Sequence, residues 1–222
     1  MTEISWAVHR KGWPMTAHSQ GGGAIDTLLD SFTALDREKP IAPSRSHLMH
    51  ASFQSPEAMA RARKLGVLVD VQSAWLHHDG PALERVFGSD GMRYFFPLQS
   101  YVDAGIIFAS GSDHMIGHDK NTATNEFNPF LGLWSSVTRL TTAGKVLRPE
   151  QRISRENALR SYTAWGAYLQ HVEKDRGSIE VGKLADLVVI DRNYLTCPES
   201  EIRAIQPTAT VIGGKVVAGK LP

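Results

Sequence analysis

Short β-branched runs alternate with stretches of helical periodicity through the first half of the chain, and this alternation limits the possible folds more than any other feature of the sequence. Four runs are predicted to be strands, at residues 14–18, 46–52, 67–72 and 106–110. They follow one another at intervals of about thirty residues, which is the size of a βαβ unit. The sequence therefore predicts an α/β fold built around a parallel sheet.

Helices are predicted between these strands from apolar spacing and from capping residues. Residues 24–35 carry apolar side chains at helical spacing. Ser55 followed by Pro56 is typical of a helix start, and Gly66 marks its end. Residues 96–104 are also predicted to be helical and residues 154–169 to form one long helix, whereas residues 73–94 show a less regular pattern.

The chain changes character after residue 176. Residues 187–190 and 208–217 are rich in strand-forming residues, and Gly213-Gly214 is typical of a hairpin turn. The sequence thus predicts two units, an α/β part at residues 1–176 and a small β-rich tail at residues 177–222.

Charge and cysteine content exclude several classes of protein. The 24 Lys and Arg residues balance 23 Asp and Glu residues, so the net charge of +1 gives no electrostatic signature of nucleic-acid or membrane-surface binding. The single cysteine, Cys197, excludes an intramolecular disulfide and a Cys-rich zinc module. No apolar run approaches the ~20 residues of a membrane span, and no signal-peptide core is recognised. We expect a soluble, cytoplasmic protein that binds neither nucleic acid nor membrane.

Three of the predicted strands lead into residues that bind metals well. His18 ends the first strand, His50 the second, and Asp113 follows the fourth. In a parallel α/β barrel, functional groups lie at the C-terminal ends of the strands, so these side chains would converge. Two neutral imidazoles and a carboxylate suit a divalent metal, zinc in particular. Such a metal lowers the pKa of bound water towards ~7, and Asp113 could act as the general base.

Each of these residues also has a structural interpretation. An isolated histidine at a strand end is more often a hydrogen-bonded polar residue than a metal ligand. Asp113 could serve only as a helix N-cap. The coincidence of all three at the same end of successive strands favours a metal site.

Three further residues are candidates for substrate contact: Gln72, His77 and His114. Gln72 ends the third predicted strand and could instead satisfy polar groups of the barrel rim. His77 and its neighbour His78 are expected in a solvated loop, and His114, beside Asp113, could simply lie on the surface.

Several motifs together resemble one family. They are His18-Ser19-Gln20-Gly21-Gly22-Gly23-Ala24, Arg45-Ser46-His47-Leu48-Met49-His50, Gly111-Ser112-Asp113, Asn128-Pro129, Thr138-Arg139 and the glycine-to-aspartate segment 177–191. With them, nearly the whole chain resembles the C-terminal part of a metal-dependent amidohydrolase, of the amidohydrolase family 3 branch that includes N-acyl-D-amino-acid deacylase relatives. Gly22 and Gly23 replace the usual Asp-Arg of this branch, and Met49 replaces the usual Glu.

The resemblance implies a fold and a chemistry. The fold would be the C-terminal half of a TIM-type (β/α)8 barrel, strands five to eight, plus part of a small β-sandwich module. His18 and His50 would be metal ligands on strands five and six, and Asp113 would be the ligand and general base on strand eight. A divalent metal, Zn²⁺ in particular, would activate water to cleave amide-type C–N bonds other than peptide bonds.

The resemblance also implies missing parts. The family carries a His-x-His on its first barrel strand and a metal-bridging or metal-ligating residue on its fourth, and neither has a place in the seventeen residues before His18. We therefore expect a C-terminal portion of a hydrolase of small amide-type substrates. The alternatives are an inactive fragment or interaction module that needs a complementary N-terminal half, and a binding protein without hydrolysis. Unpaired strand edges would favour homo-oligomers or pairing with that half.

Overall fold

The computed structural model describes residues 2–115 and 126–221. Its first part contains the helices α1 (Thr2–Arg10), α2 (Gly22–Asp36), α3 (Pro56–Leu65), α4 (Trp75–Gly91) and α5 (Leu98–Ala104) and the strands β1 (Thr16–Ser19), β2 (His47–His50), β3 (Leu68–Val71) and β4 (Phe108–Ser110). The second contains α6 (Pro129–Thr138), α7 (Arg155–Tyr162), α8 (Ala164–Leu169), β5 (Leu187–Ile190), β6 (Pro207–Ile212) and β7 (Lys215–Gly219). Short 3-10 turns lie at Ala42–Ser44, Pro149–Gln151 and Glu199–Ala204.

The first four strands form one parallel sheet in the order β1-β2-β3-β4. This confirms the predicted α/β fold with a parallel sheet, and each observed strand lies within or beside its predicted segment. Because neighbouring strands run in the same direction, their C-terminal ends meet at one edge of the sheet. The residues that follow these ends are therefore close in space although they are far apart in sequence.

The core lies between this sheet and its helices. Helix α2 buries five apolar residues, at i, i+3, i+4, i+7 and i+10, which confirms the predicted helical face: Ile25, Leu28, Leu29, Phe32 and Leu35. They belong to the same hydrophobic cluster as Leu48 of β2 and Val69 and Val71 of β3. Burying one such side chain stabilises the fold by about 1.5–3 kcal/mol, so the helix layer holds the short strands in place.

Helix α3 begins and ends as its sequence predicts. The Ser55 hydroxyl accepts a hydrogen bond from the backbone N–H of Ala58, and Pro56 occupies the first turn. At the other end, Gly66 adopts a left-handed conformation with φ of 66°. These caps fix the boundaries of the connection between β2 and β3.

The segment after β3 is more regular than its sequence suggests. Residues 75–91 form helix α4, with Pro81 inside it and a non-helical backbone at Gly88. Proline and several glycines depress the helical signal of this stretch, and burial of its first turn against the core outweighs their cost. The expectation that His77 and His78 lie in a loop is wrong, because both are on α4.

The predicted single helix over residues 154–169 is divided in two. Ser154 caps its start, because the Ser154 hydroxyl accepts a hydrogen bond from the Asn157 N–H, but the helix breaks at Thr163, where φ is −129° and ψ is −95°. Gly177 packs at this break, so closely that a Cβ there would lie 2.4 Å from the Ala167 Cβ and 3.2 Å from the Thr163 carbonyl oxygen. Close packing by a distant glycine is a tertiary feature that helical periodicity does not encode.

The tail forms a separate antiparallel sheet in the order β5-β6-β7. Gly213 and Gly214 connect β6 to β7 with φ of 56° and 79°, which confirms the predicted two-residue hairpin turn. Within the described residues, no helix combines the length and the apolar character that crossing a membrane requires.

Two glycine-to-alanine substitutions are expected to change stability in opposite directions. In Gly66→Ala, the new Cβ would meet the Ala42 Cβ at 2.6 Å on a backbone with φ of 66°. We expect a loss of more than ~1 kcal/mol of unfolding free energy from strain alone. In Gly23→Ala, on α2, the Cβ meets nothing within 4 Å, so the helix should gain about 0.5–1 kcal/mol. Urea unfolding of the two variants measures both effects. A change of the same sign in the free energy of unfolding of both variants would contradict this prediction.

Candidate functional site

The ends of β1 and β2 bring two of the predicted metal ligands into contact. The His18 and His50 ring centroids are 4.7 Å apart, with an angle of 71° between the ring planes. His18 is exposed, whereas His50 is 4% exposed. The register pairs His18 with Met49 and Ser19 with His50, so a regular strand would point the two rings to opposite faces. The left-handed backbone of His50, with φ of 70°, ends the strand and allows the rings to meet.

A chain of hydrogen bonds selects the tautomer of the His50 ring. The His50 Nδ1 lies 2.7 Å from Gln72 Oε1, and Gln72 Nε2 donates to Asp70 Oδ1 at 2.6 Å. Because the Asp70 carboxylate accepts the Gln72 amide N–H, the Gln72 oxygen faces His50, and His50 Nδ1 must carry a hydrogen to donate. In the neutral ring, the other nitrogen, Nε2, then carries a lone pair that can bind a cation or accept a hydrogen bond.

Sequence reasoning identified Gln72 and left two roles open for it, substrate contact or hydrogen bonding to polar groups of the rim. Its amide oxygen and nitrogen are both engaged, by His50 and by Asp70. Asp70 was missed altogether. It lies two residues before Gln72, on the same face of β3, and that spacing was the available signal.

Several buried polar atoms near these strand ends have no hydrogen-bond partner among the described residues. Trp75 packs its ring on His50, with centroids 5.0 Å apart, and its Nε1 is one of these atoms. The others lie on the segments that follow β2 and β3: the Ser52 and Ser73 hydroxyls and both polar atoms of the Gln54 amide. A buried polar group without a partner costs about 1–3 kcal/mol, so a bound polar ligand would be stabilising here. Trp75 itself is buried, with 7% exposure.

Asp113 follows β4 in the predicted Gly-Ser-Asp sequence. It is exposed and has a left-handed backbone with φ of 51°. The next two residues, His114 and Met115, are not helical. Within residues 2–115 and 126–221, no group of three or more His, Cys, Asp or Glu side chains has the spacing of a metal site. The structure therefore brings together the two imidazoles, and Asp113 is not part of such a group.

The other predicted substrate contacts lie on neighbouring elements. His77 Nδ1 is 2.8 Å from the Leu140 carbonyl oxygen, and its ring meets Trp134 and His78 at centroid distances of 5.1 and 5.0 Å. The His114 backbone N–H donates to the Ser112 hydroxyl, and its ring lies 5.8 Å from the Phe127 ring.

Burial changes the ionisation of the groups around His77. Loss of solvent lowers the pKa of His77 and of His78 below the ordinary histidine value. It also raises the pKa of Glu126, whose Oε1 lies 3.7 Å from His78 Nε2. The His77 and His78 imidazoles are therefore held in their neutral form near neutral pH.

Two concavities border the end of β4. A small cavity of 230 Å³ is lined by Ala74, Ser110, Gly111, Ser112, Glu126, Phe127, Asn128, Pro129 and Tyr162. A larger groove of 1030 Å³, here named the β4 groove, runs between β4, α7, α8 and β5. Ala109 and Ser110 of β4 and all four residues of β5 line it.

Comparison with known proteins gives consistent matches. Residues 1–218 match a sequence model of the amidohydrolase family. The chain is 30% identical over 213 residues to an N-substituted formamide deformylase of Arthrobacter pascens, a match that covers 96% of this chain and 38% of that protein. It is 24% identical over 217 residues to the protein LONG AFTER FAR-RED 3 of Arabidopsis thaliana, a match that covers 97% of this chain and 36% of that protein. The chain thus spans little more than a third of the length of these curated relatives.

Solved structures share the fold at low sequence identity. An uncharacterized metal-dependent hydrolase from Pyrococcus horikoshii OT3 has a TM-score of 0.73 and 21% identity, covering 90% of this chain and 39% of the other. An adenosine deaminase from Xanthomonas campestris with bound zinc has a TM-score of 0.66 and 18% identity. This match covers 98% of the present chain and 48% of the deaminase chain.

The lowered histidine pKa values predict how stability depends on pH. Below the unfolded-state value of 6.5, the unfolded chain binds protons that folded His77 and His78 do not bind. Stability is therefore lost as pH falls below that value. We expect His78→Gln, which cannot take up a proton, to lose less stability than the wild type between about pH 7.5 and 5.5. Urea midpoints at both pH values measure this, and equal losses in the two proteins would refute it.

Proposed function

The chain belongs to the amidohydrolase family, and from that premise we propose that it is the C-terminal portion of a metal-dependent hydrolase of amide-type carbon–nitrogen bonds other than peptide bonds. The observation that carries this proposal is the contact between His18 and His50, with the His50 tautomer set by Gln72. The relative from Arthrobacter pascens is an N-substituted formamide deformylase. Small N-substituted amides are accordingly the substrate class we propose.

The contact between the His18 and His50 imidazoles supports a site for a divalent metal such as Zn²⁺, with Asp113 proposed as a third ligand from the end of β4. Metal-binding histidines commonly donate their second ring N–H to a carbonyl or carboxylate oxygen, which fixes the ring and raises its basicity. His50 has this arrangement through Gln72 Oε1. The unpartnered polar atoms of Trp75 and Ser73 also indicate a place for polar ligands. We propose His18, His50 and Asp113 as the ligands, and one structural neighbour contains zinc.

Each residue then has a defined task. Bound Zn²⁺ would polarise the substrate carbonyl and lower the pKa of water towards ~7. Asp113, exposed at the end of β4, would take a proton from the attacking water and deliver it to the leaving nitrogen. Gln72 would hold the His50 ring in place, which we favour over direct substrate contact because both ends of its amide are engaged. We keep His77 and His114 as candidate contacts to substrate.

We also propose an architecture for the whole enzyme. The parallel sheet would be strands five to eight of a TIM-type barrel within residues 1–176, and residues 177–222 would be part of a small β-sandwich. Four parallel strands with helices between them support the first part, since a closed barrel has eight such units. The chain's span of about a third of its relatives is consistent with it.

A second candidate role is that of an interaction module that needs a complementary N-terminal half or a second copy. In the described part of the chain, β1 pairs with β2 alone and β4 with β3 alone, so each has a free edge. The β4 groove is lined by exposed apolar residues of the tail, among them Ile179 and Val188 at 88% and 54% exposure. Free strand edges and apolar surface of this kind favour association.

Metal content tests the proposed ligands. We expect the purified chain, after zinc loading and dialysis, to retain about one zinc ion, held by a small set of N and O donors. His18→Ala and Asp113→Ala should each lose it, whereas His171→Ala, which removes an exposed imidazole bound to the Ser44 carbonyl, should keep it. Elemental analysis measures all four proteins. A folded wild type without zinc, or equal loss in His171→Ala, would contradict the ligand assignment.

Sedimentation equilibrium tests the association surface. We expect the wild type to self-associate as concentration rises and Val188→Lys to weaken that association, because a lysine would place a charge in the β4 groove. Val86→Lys on α4 is the matched control, since Val86 is 74% exposed but does not line the groove. A wild type that stays monomeric, or equal effects of both lysines, would argue against this surface.

A further inference from the structure

Arg139, of the Thr138-Arg139 motif, is the largest fully buried side chain among the described residues. The chemistry proposed above gives it no role. Its exposure is 0%. All three guanidinium nitrogens donate to backbone carbonyls: Nε to Leu147 at 2.7 Å, Nη1 to Phe96 at 2.9 Å and Nη2 to Phe95 at 2.9 Å. Arg139 thus joins the end of α6 to the segment that precedes α5.

This cation is costly to bury. Loss of solvent lowers the pKa of Arg139 to about 9, so it remains charged at neutral pH. In the described part of the chain it forms no ion pair with a carboxylate, and carbonyl dipoles take the place of water. An apolar side chain would fill the same space without the cost of desolvating a charge. The three directed hydrogen bonds therefore distinguish Arg139 from a side chain that only occupies space in the core.

The two phenylalanines that Arg139 holds support the loop after β2. The Phe96 backbone N–H donates to the Ser52 carbonyl at 2.8 Å. Phe95 forms an isolated antiparallel bridge with Phe53, and their rings lie 5.0 Å apart. Phe96 itself has a left-handed backbone with φ of 45°, so this segment needs external support.

The loop that they support contains a strained stretch of backbone. His50 and Ala51 have φ of 70° and 42°, two successive non-glycine residues in the left-handed region. This conformation is strained for residues with a Cβ and persists only where surrounding contacts hold it. A second support comes from Tyr101, which is fully buried and donates its hydroxyl to the Ala51 carbonyl at 3.2 Å.

We propose that Arg139 and Tyr101 are positioning residues that hold the backbone of His50 in its left-handed conformation and so aim its ring at His18 and Gln72. Arg139 acts through the carbonyls of Phe95 and Phe96, and Tyr101 acts directly on Ala51. The effect of Arg139 and Tyr101 on metal binding rests on the proposed function, in which His50 is a metal ligand.

The first test reads the His50 ring without any metal. In the wild type, nitrogen-15 NMR should show a single His50 tautomer with hydrogen on Nδ1. Arg139→Lys keeps the charge but loses the three-pronged donor, and should give a mixture of tautomers or a broadened His50 signal. Leu29→Ala is the control for lost stability. It truncates a fully buried side chain of α2 (0% exposure) and leaves a cavity there, and it should leave the His50 signal unchanged. An unchanged signal in Arg139→Lys, or the same change in Leu29→Ala, would overturn the inference.

Tyr101→Phe is the second variant, because it deletes one hydroxyl and keeps the ring in the core. It should also give a mixture of tautomers, smaller than that of Arg139→Lys, with the fold intact. If Arg139→Lys does not fold, Tyr101→Phe alone decides: a single unaltered tautomer overturns the inference.

Cobalt titration separates this inference from the proposed function. We expect Co²⁺ affinity to fall roughly tenfold in Arg139→Lys, in the range seen when outer partners of metal ligands are removed, and to stay unchanged in Leu29→Ala. A wild type that binds no Co²⁺ while the tautomer shifts still occur would refute the metal-binding proposal and support the positioning role. A Co²⁺ affinity equally reduced in Arg139→Lys and Leu29→Ala would refute the positioning role.

Discussion

The hydrogen bond from His50 Nδ1 to Gln72 Oε1 is the contact on which the candidate site depends. It joins the C-terminal ends of β2 and β3, and the Asp70 carboxylate decides which way the Gln72 amide faces. As a result, the lone pair of His50 lies on Nε2, on a ring that contacts His18. Without this bond both tautomers of His50 would be accessible, and the proposed pair of ligands would lose the one ring whose tautomer is set by the surrounding structure.

The rest of the fold supports that contact at some energetic cost. The sheet and its helices bury a continuous apolar cluster that fixes the short strands. Part of this stability offsets the left-handed backbone at His50 and Ala51, the unpartnered polar atoms near Trp75, and the buried cation of Arg139. Several of these strained residues and unpartnered polar atoms lie just after β2 and β3, and such features are typical of functional sites. Their position favours a ligand-binding role for this edge of the sheet.

Local rules predicted much of the fold. Strand placement, the Ser55 and Gly66 caps of α3, the apolar face of α2 and the Gly213-Gly214 turn each depend on residues close in sequence. One topological rule, that parallel strands end at a common edge, placed His18 and His50 near each other, but their ring contact also depends on the left-handed backbone of His50, which no local pattern indicates. The failures have tertiary causes: burial overrides the proline of α4, and a distant glycine packs where the predicted long helix breaks. Arg139 was identified as a motif, but its three carbonyl partners come from segments that no local pattern connects to it.

The most direct test of the account is a crystal structure of the zinc-loaded chain with anomalous data collected at the zinc edge. We predict one strong peak at about 2.0–2.1 Å from a ring nitrogen of both His18 and His50, the usual zinc–imidazole distance. The nitrogen of His50 should be Nε2, with Nδ1 still bonded to Gln72. A peak coordinated elsewhere, or a loaded crystal in which His50 binds zinc through Nδ1 and has released Gln72, would contradict it.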